Sequence, residues 1–315
     1  MLVSVLMSVY AEPLDWLEKA INSILTQTFS DFEFIIVNDN PERKENRKVL
    51  SRFAAEDTRI VVVENTENIG LTKSLNKGIK VAKGKYIARM DADDISLPDR
   101  LSKQVTFLLE NEDYIACGSR VHVIDEQEQK LQKKYYPVSY KDIVSDLLIH
   151  NPIIHPTLLI KTEAFKTLGV AYNEKLRFAQ DYQLIVDLLE VGKVHNCKEV
   201  LLWYRKSNQQ ITNQHLAKQT SYANQIRVQI IEKELAKIGV QLPWKDPYNS
   251  PLDTVFQWID KHNLAKKTLW FNNFKVSLLI NSHNMVKKSQ LFKTMFERSI
   301  SIKNRLKLLK ILITN

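Results

Sequence analysis

Residues 86–101 read YIARMDADDISLPDRL: an apolar run, three acids within four positions, and then a proline ahead of a helix-like pattern. Tyr86–Met90 predicts a buried strand, and the acids lie where that strand ends. Working outward, Val3–Val9, Phe32–Val37 and Ile60–Val63 are similar apolar runs rich in β-branched residues. Between them, Leu14, Leu17, Ile21, Ile24 and Leu25 recur on one helical face, with Pro13 suited to a first turn. Further helical patterns span about 43–55 and 71–82. Strands that are apolar on both faces and alternate with helices predict an α/β fold, a mostly parallel sheet covered on both sides. Such sheets bind ligands beyond the carboxyl ends of their strands. There the first strand runs into Ser8-Val9-Tyr10-Ala11-Glu12, the second into Asn38-Asp39-Asn40, the third into Glu64-Asn65, and the fourth into Asp91-Ala92-Asp93-Asp94.

The rest of the chain divides in character. After Pro98 the pattern gives a helix to about Asn111, a strand near 115–123 and a mixed region to Tyr204; from about Ser207 only helices are expected. Residues 206–315 carry 18 Lys/Arg against 6 Asp/Glu, so the net charge of +9 resides in that part and the remainder is slightly acidic. Two domains are expected, 1–206 and a basic helical region 207–315. Two cysteines, Cys117 and Cys197, exclude a disulfide scaffold and a clustered zinc site. No apolar run approaches the roughly 18 residues of a membrane span. MLVSVLMSVY lacks the basic start and cleavage site of a signal peptide. A cytoplasmic chain is expected.

The acid run carries the chemistry. An Asp-x-Asp pair at a strand end supplies hard oxygen ligands for Mg²⁺ or Mn²⁺, which keep open positions that a diphosphate can fill. A solvated acidic turn is the bland alternative, and the strand before and helix start after weigh against it. Tyr10-Ala11-Glu12-Pro13 contains no glycine, which argues against a Rossmann dehydrogenase and a P-loop enzyme. A metal on Asp93 would hold the diphosphate instead. Asp39, at the end of the second strand, suits a ribose or base contact, with a turn aspartate before Pro41 as its alternative. Asp181 begins an amphipathic helix with Tyr182, Ile185 and Leu188, where a carboxylate is also favoured simply as a cap. His155, Arg89 and Arg100 read better as structural partners than as ligands.

In order and spacing, VSVLMSVY, AINSILTQTFSDFEFIIVNDN, ENIGLTKSLNKGI, GKYIARMDADDISLPDRLSKQ, NPIIHPTLLI, FAQDYQLIVDL and LLWYR resemble the family 2 glycosyltransferases of bacterial surface-polysaccharide synthesis. The resemblance spans residues 1 to about 206 and implies the GT-A fold, a Rossmann-like, mostly parallel sheet with helices on both faces. It implies that Ser8, Val9, Tyr10 and Glu12 lie against the nucleotide, that Asp39 takes the base or ribose, and that Lys73 lies near the donor. Asp91 and Ala92 would face the ribose and phosphate, Asp93 would bind Mn²⁺ or Mg²⁺, and Asp181 would be the catalytic base. Asn38-Asp39-Asn40 stands where Asp-Asp-Gly is usual, and Gln180 replaces the commoner acid before Asp181.

The implied reaction is inverting transfer from a nucleotide-diphosphate sugar, a UDP-sugar first, to a glycan or lipid-linked acceptor. Sugar-phosphate nucleotidyltransfer is the nearest enzymatic alternative but lacks its glycine-rich loop. A nucleic-acid-binding module has its basic charge in a helical tail without a base-reading motif, and no nucleic-acid partner is expected. In residues 299–315, Ile302, Leu306, Leu309 and Ile313 form a stripe beside Lys303, Lys307 and Lys310. That pattern fits a helix on an anionic membrane surface, or one packed on its neighbours.

Overall fold

The computed structural model describes residues 1–169, 171–176, 178–207, 216–262, 264, 269–281, 294 and 308. Its sheet has nine strands: β1 (Val3–Val9), β2 (Phe32–Asn38), β3 (Ile60–Glu64), β4 (Tyr86–Asp91), β5 (Ile95–Ser96), β6 (Tyr114–Ile124), β7 (Lys130–Lys134), β8 (Leu159–Lys161) and β9 (Lys193–Arg205). The spatial order is β3-β2-β1-β4-β8-β6-β9-β5, with β7 added to β6. Strands β1 to β4 are mutually parallel, β8 runs antiparallel between β4 and β6, and β6 and β9 are parallel. Because β1 lies between β2 and β4, the chain leaves it in one direction and returns on the other side. A crevice opens at such a switch point, at the carboxyl ends of the strands.

Among the described residues up to 207, seven helices lie between the strands: α1 (Leu14–Leu25), α2 (Lys44–Glu56), α3 (Leu71–Val81), α4 (Arg100–Glu110), α5 (Tyr140–Asp146), α6 (Thr162–Leu168) and α7 (Gln180–Val191). Helix α1 buries Leu17, Ala20, Ile21 and Ile24, the residues its period selects, and starts one residue later than expected with Pro13 as its cap. With Val49, Leu50 and Phe53 of α2 and Leu101, Val105 and Leu108 of α4, they cover the face formed by Val3, Val5, Met7, Phe34 and Ile36. Burying each large side chain contributes about 1.5–3 kcal/mol. The opposite face, with Leu6 and Val37, receives α3, and a methyl group at Gly78 would collide with Leu6 Cδ1. Glycine therefore sets how near α3 approaches the sheet.

The chain divides into two units, 1–143 with 152–214, and 144–151 with 215–315. The second unit contains α8 (Leu216–Ala236), α9 (Leu252–Lys261) and α10 (Leu269–Asn281), with no strand among its described residues. The 144–151 segment lies among these helices: Asn273 Nδ2 donates to Ser145 O at 2.6 Å, and Arg227 Nη2 to Ile149 O at 3.3 Å. Tyr248 and Ser277 share a buried hydroxyl–hydroxyl bond of 2.8 Å. Among the described residues no helix is long and apolar enough to cross a membrane. The amphipathic stripe expected in 299–315, Ile302, Leu306, Leu309 and Ile313, lies outside the described residues.

Candidate active site

Register brings four strand ends level. Ser8 pairs with both Val37 and Asp91, Val9 with Asn38, and Asn38 with Glu64. The loop after β1 has no glycine, and side chains from the next β-α segment fix its path. Asn40 Nδ2 and Asn46 Nδ2 donate to Tyr10 O at 3.1 and 2.8 Å, while Arg43 Nη1 donates to Glu12 O at 2.8 Å. Glu12 in turn accepts from Tyr10 N at 2.8 Å. Burial pushes the Glu12 carboxyl up, two backbone N–H groups oppose this, and the charge of Asp91 adds to it.

Asp39 is buried and already committed. Its carboxylate accepts from Asn65 Nδ2 at 2.8 Å, Ile69 N at 2.9 Å and Gly70 N at 2.9 Å. A carboxylate offers about four lone-pair sites, so three of them shape the loop between β3 and α3. Gly70, with φ +85°, occupies the left-handed region there and caps α3. Lys77 Nζ donates to Glu64 O and Asn65 Oδ1, both at 2.8 Å, and ties the same loop to α3.

The acids after β4 gather tightly. One carboxylate oxygen from each of Asp91, Asp93 and Asp94 lies within 4.8 Å of the others. Beneath them, Arg89 is 2% exposed and pairs with Asp91, and Arg100 Nη2 donates to Arg89 O at 2.6 Å. The loop is held from the far side by Arg205 at the end of β9. Arg205 N donates to Asp94 Oδ1 at 2.7 Å, its Nε to Asp93 O at 2.7 Å, and its Nη2 to Glu128 Oε1 at 3.2 Å. Its guanidinium lies over the Trp16 ring at 4.7 Å.

This packing leaves a charge conflict. Burial, then the charges of Asp91 and Glu12, push the Asp93 carboxyl up to about 7. Asp94 is also pushed well up, by burial and then by Asp93 and Asp91. Asp94 Oδ2 is buried without a hydrogen-bond partner. An orphaned carboxylate oxygen inside an all-oxygen cluster is what a hard divalent cation would satisfy, so these residues fit Mg²⁺ or Mn²⁺.

The segment between α6 and α7 reaches this neighbourhood at Tyr172. Its hydroxyl and His155 Nε2 share a 2.7 Å hydrogen bond, and its backbone is clamped by Asn76, which accepts from Tyr172 N and donates to Tyr172 O, both at 2.9 Å. Burial pushes the Tyr172 phenol up; Arg89 opposes this, and the charges of Asp181 and Asp91 add to it. Asp181, in the first turn of α7, and Asp91 therefore act on one hydroxyl. Burial, then Arg89, holds His155 well below its usual range, so the ring is neutral and structural.

The expected site residues thus occupy different settings. Glu12, Asp91 and Asp93 converge. Val9 and Ala92 are core residues, so only their backbones face outward, and Val9 O already accepts from Asp39 N. Ser8 is half-buried, Tyr10 exposed, and Lys73 exposed on α3; Lys77 is the lysine that reaches the β3 end. Asp94, Arg205, Asn46 and Tyr172 build the site as well. Asp94 and Arg205 fall inside motifs already quoted, DADD and LLWYR, but nothing local reveals that they meet.

The model of "Glycosyl transferase family 2" matches residues 4–169, more than half of the chain. A glycosyltransferase of Methanocaldococcus jannaschii is 38% identical over 70% of this chain and 77% of its own length. The O-antigen biosynthesis glycosyltransferase WbnJ of Escherichia coli is 34% identical over 69% of this chain and 84% of its own. Among solved structures, S. aureus TarS 1–349 in complex with UDP-GlcNAc superposes with a TM-score of 0.54, covering 100% of this chain and 92% of that one. At 14% identity that likeness concerns the fold alone, a GT-A glycosyltransferase architecture. With an α/β sheet that gathers its acids at the strand ends, a family match over half its length and relatives above 30% identity, this chain is a member of glycosyl transferase family 2.

Proposed function

We propose that the chain transfers a sugar, with inversion, from a nucleotide-diphosphate sugar to a hydroxyl of a glycan or lipid-linked acceptor in surface-polysaccharide synthesis. The observation that carries this reading is the Asp91-Asp93-Asp94 cluster with its unpaired buried oxygen, set at the ends of parallel strands. Relatives named for O-antigen and amylovoran biosynthesis support the polysaccharide setting. Fold neighbours in complex with UDP and UDP-GlcNAc support a UDP-sugar donor.

In this reading Asp93, with Asp91 and Asp94, holds Mn²⁺ or Mg²⁺. The bound cation supplies neutralisation of the charge that grows on the departing diphosphate. The nucleotide lies along the Ser8–Glu12 loop, whose shape Asn40, Asn46 and Arg43 maintain. Asp39 acts chiefly by shaping the 65–70 loop, with one lone-pair site left for a ligand, and Lys73 lies on the donor side. Asp181 takes the proton from the acceptor hydroxyl as that oxygen attacks the anomeric carbon from the face opposite the leaving group. Base catalysis of this kind contributes about 10²–10⁴-fold. Arg89, buried near Tyr172, pairs with Asp91 and so holds one end of the acid loop.

Work at the cytoplasmic face, with the basic 299–315 segment against anionic lipid, completes the proposal. A panel of nucleotide sugars in a thermal-shift assay, with and without Mn²⁺, tests the donor reading. A selective, Mn²⁺-dependent rise in Tm with one donor is expected, because a ligand that binds only the native state stabilises it by mass action. No response to any nucleotide sugar would overturn it.

A further inference from the structure

Helix α7 carries Asp181 in its first turn, but its own cap does not fix where it starts. Ala179 stands at the cap position and has no side-chain oxygen to accept from the first-turn N–H groups. The run before it, residues 169–179, reads GVAYNEKLRFA. Gly169, at φ +70°, ends α6. Beyond Tyr172 the chain turns step by step: Leu176 N donates to Asn173 O at 3.1 Å, Ala179 N to Leu176 O at 3.2 Å, and Gln183 N to Ala179 O at 3.0 Å. These turns leave little slack between Tyr172 and Asp181.

Tyr172 is where the run is anchored. On one side Asn76 of α3 accepts from Tyr172 N and donates to Tyr172 O, both at 2.9 Å, and also donates to Glu174 Oε1 at 3.0 Å. On the other side the buried hydroxyl shares its 2.7 Å bond with His155 Nε2, the two rings standing edge to face at 5.4 Å. His155 opens a single buried 3-10 turn, His155–Thr157, which is itself fixed. Gln104 Nε2 donates to Thr157 O at 2.7 Å, and Ser119 N donates to Thr157 Oγ1 at 3.1 Å. The next residue, Leu158, accepts at its carbonyl from Arg89 N at 2.8 Å, and Arg89 pairs with Asp91. One tyrosine thus ties α3 and the strand that ends in the acids to the segment leading into α7. A phenylalanine would fill the same volume with no buried hydroxyl to satisfy. The hydrogen bond contributes only about 0.5–1.5 kcal/mol to stability, and what it adds is a fixed direction for the ring and for the backbone at 172.

We propose that Tyr172, through its bond to His155, is a positioning residue that sets where Asp181 stands relative to the Asp91–Asp94 loop. This rests on the transferase reading, in which Asp181 is the base. Tyr172 acts through the chain and not on the substrate.

Tyr172→Phe is expected to lower kcat by about 10- to 100-fold, since a misplacement of about 1 Å can cost about 10²-fold. The donor KM, and UDP affinity with Mn²⁺ by calorimetry, should stay near wild type, as for an interaction that matters only in the transition state. His155→Ala should match Tyr172→Phe, and the double variant should be no worse than either, because both remove one bond. His155→Gln, which keeps an amide to meet the phenol, should retain most of the turnover. Hydrogen exchange of amides 171–181 reads the tether without substrate, and should quicken about tenfold in Tyr172→Phe and His155→Ala. Thr167→Val, which removes an exposed hydroxyl bond on α6, should change neither readout. Wild-type turnover in Tyr172→Phe overturns the proposal. So does a loss of UDP affinity as large as the loss of kcat, which would make Tyr172 a support of the donor side or of the fold at large. If the wild-type chain transfers sugar from no donor, the transferase reading fails; quickened exchange then leaves the tether standing, and unchanged exchange overturns it as well.

Discussion

In the proposed reading protons and a divalent cation compete for the same oxygens at the acid cluster, and the raised carboxyl of Asp93 sets where that competition turns. Asp93 is pushed up to about 7 by burial first and by Asp91 and Glu12 after it. A metal ligand must be deprotonated, so with one such group the ionised fraction is about 0.1 at pH 6, about 0.5 at pH 7 and about 0.9 at pH 8. Mn²⁺ affinity should rise about tenfold from pH 6 to pH 8, or more, because Asp94 is raised by the same causes and adds in the same direction. Titration calorimetry in two buffers of different ionisation enthalpy counts the protons released. About one proton per Mn²⁺ is expected at pH 6, falling toward zero at pH 8 as far as Asp93 alone is concerned. The metal-free protein should show the complementary trend. A carboxyl whose folded value lies above its unfolded value of 3.8 gives stability that is whole below about pH 4 and is lost as pH rises through about 7. Its ceiling is about 4 kcal/mol, three units at 1.36 kcal/mol each. Urea midpoints should therefore fall between pH 5 and pH 8 without Mn²⁺, and fall less with it. An Mn²⁺ affinity that stays flat from pH 6 to pH 8, with no proton released, would refute the idea that these acids are crowded for a cation.

Three further substitutions probe separate parts of the reasoning. Asp181→Asn is expected to reduce turnover by about 10²–10⁴-fold while UDP affinity, read by calorimetry, stays near that of the wild type; comparable turnover would make Asp181 a helix-start residue only. Arg205→Met removes a fully buried guanidinium from Glu128 and from the Asp93 carbonyl, and should cost about 3 kcal/mol or more in urea denaturation and weaken Mn²⁺ binding together. Gly78→Ala places a methyl group on Leu6 Cδ1 and near Val37, and should cost about 1–3 kcal/mol in the same assay with little change in Mn²⁺ affinity.

The half of the sheet from β1 to β4 was readable because parallel strands buried on both faces appear as nearly unbroken apolar runs. Val3–Val9 and Phe32–Asn38 are such runs, and the helices between them differ from expectation by a residue at their ends. In the second half a strand was expected near 115–123, and β6 spans Tyr114–Ile124, but the shorter strands carried no comparable signal. Strand β8 is three residues long and enters the sheet antiparallel between β4 and β6, while β5 has two residues and is a strand only because β9 pairs with it. Pairing of this kind is decided by partners far along the chain, and a window of sequence does not contain them. The same limit governs the side chains. An aspartate after β2 is legible as a strand-end acid, but its engagement by Asn65, Ile69 and Gly70 is a property of the folded loop.

Arg205 shows what this means for the site. It lies 111 residues from Asp94 in sequence, yet its backbone N–H and guanidinium hold Asp94 and the Asp93 carbonyl while Arg89 pairs with Asp91. The family match ends at residue 169, before β9 begins at Lys193. The matched segment therefore contains all three acids but not the strand that fixes their spacing. Among the described residues Asp94 Oδ1 accepts from the backbone of that later strand, and without that bond a second buried carboxylate oxygen would lack its donor. Such a group costs about 1–3 kcal/mol, more when charged, so the 4.8 Å grouping of the acids draws part of its support from β9. The DADD cluster thus depends on a sheet that includes β9, and the residues that surround it extend from Glu12 to Arg205.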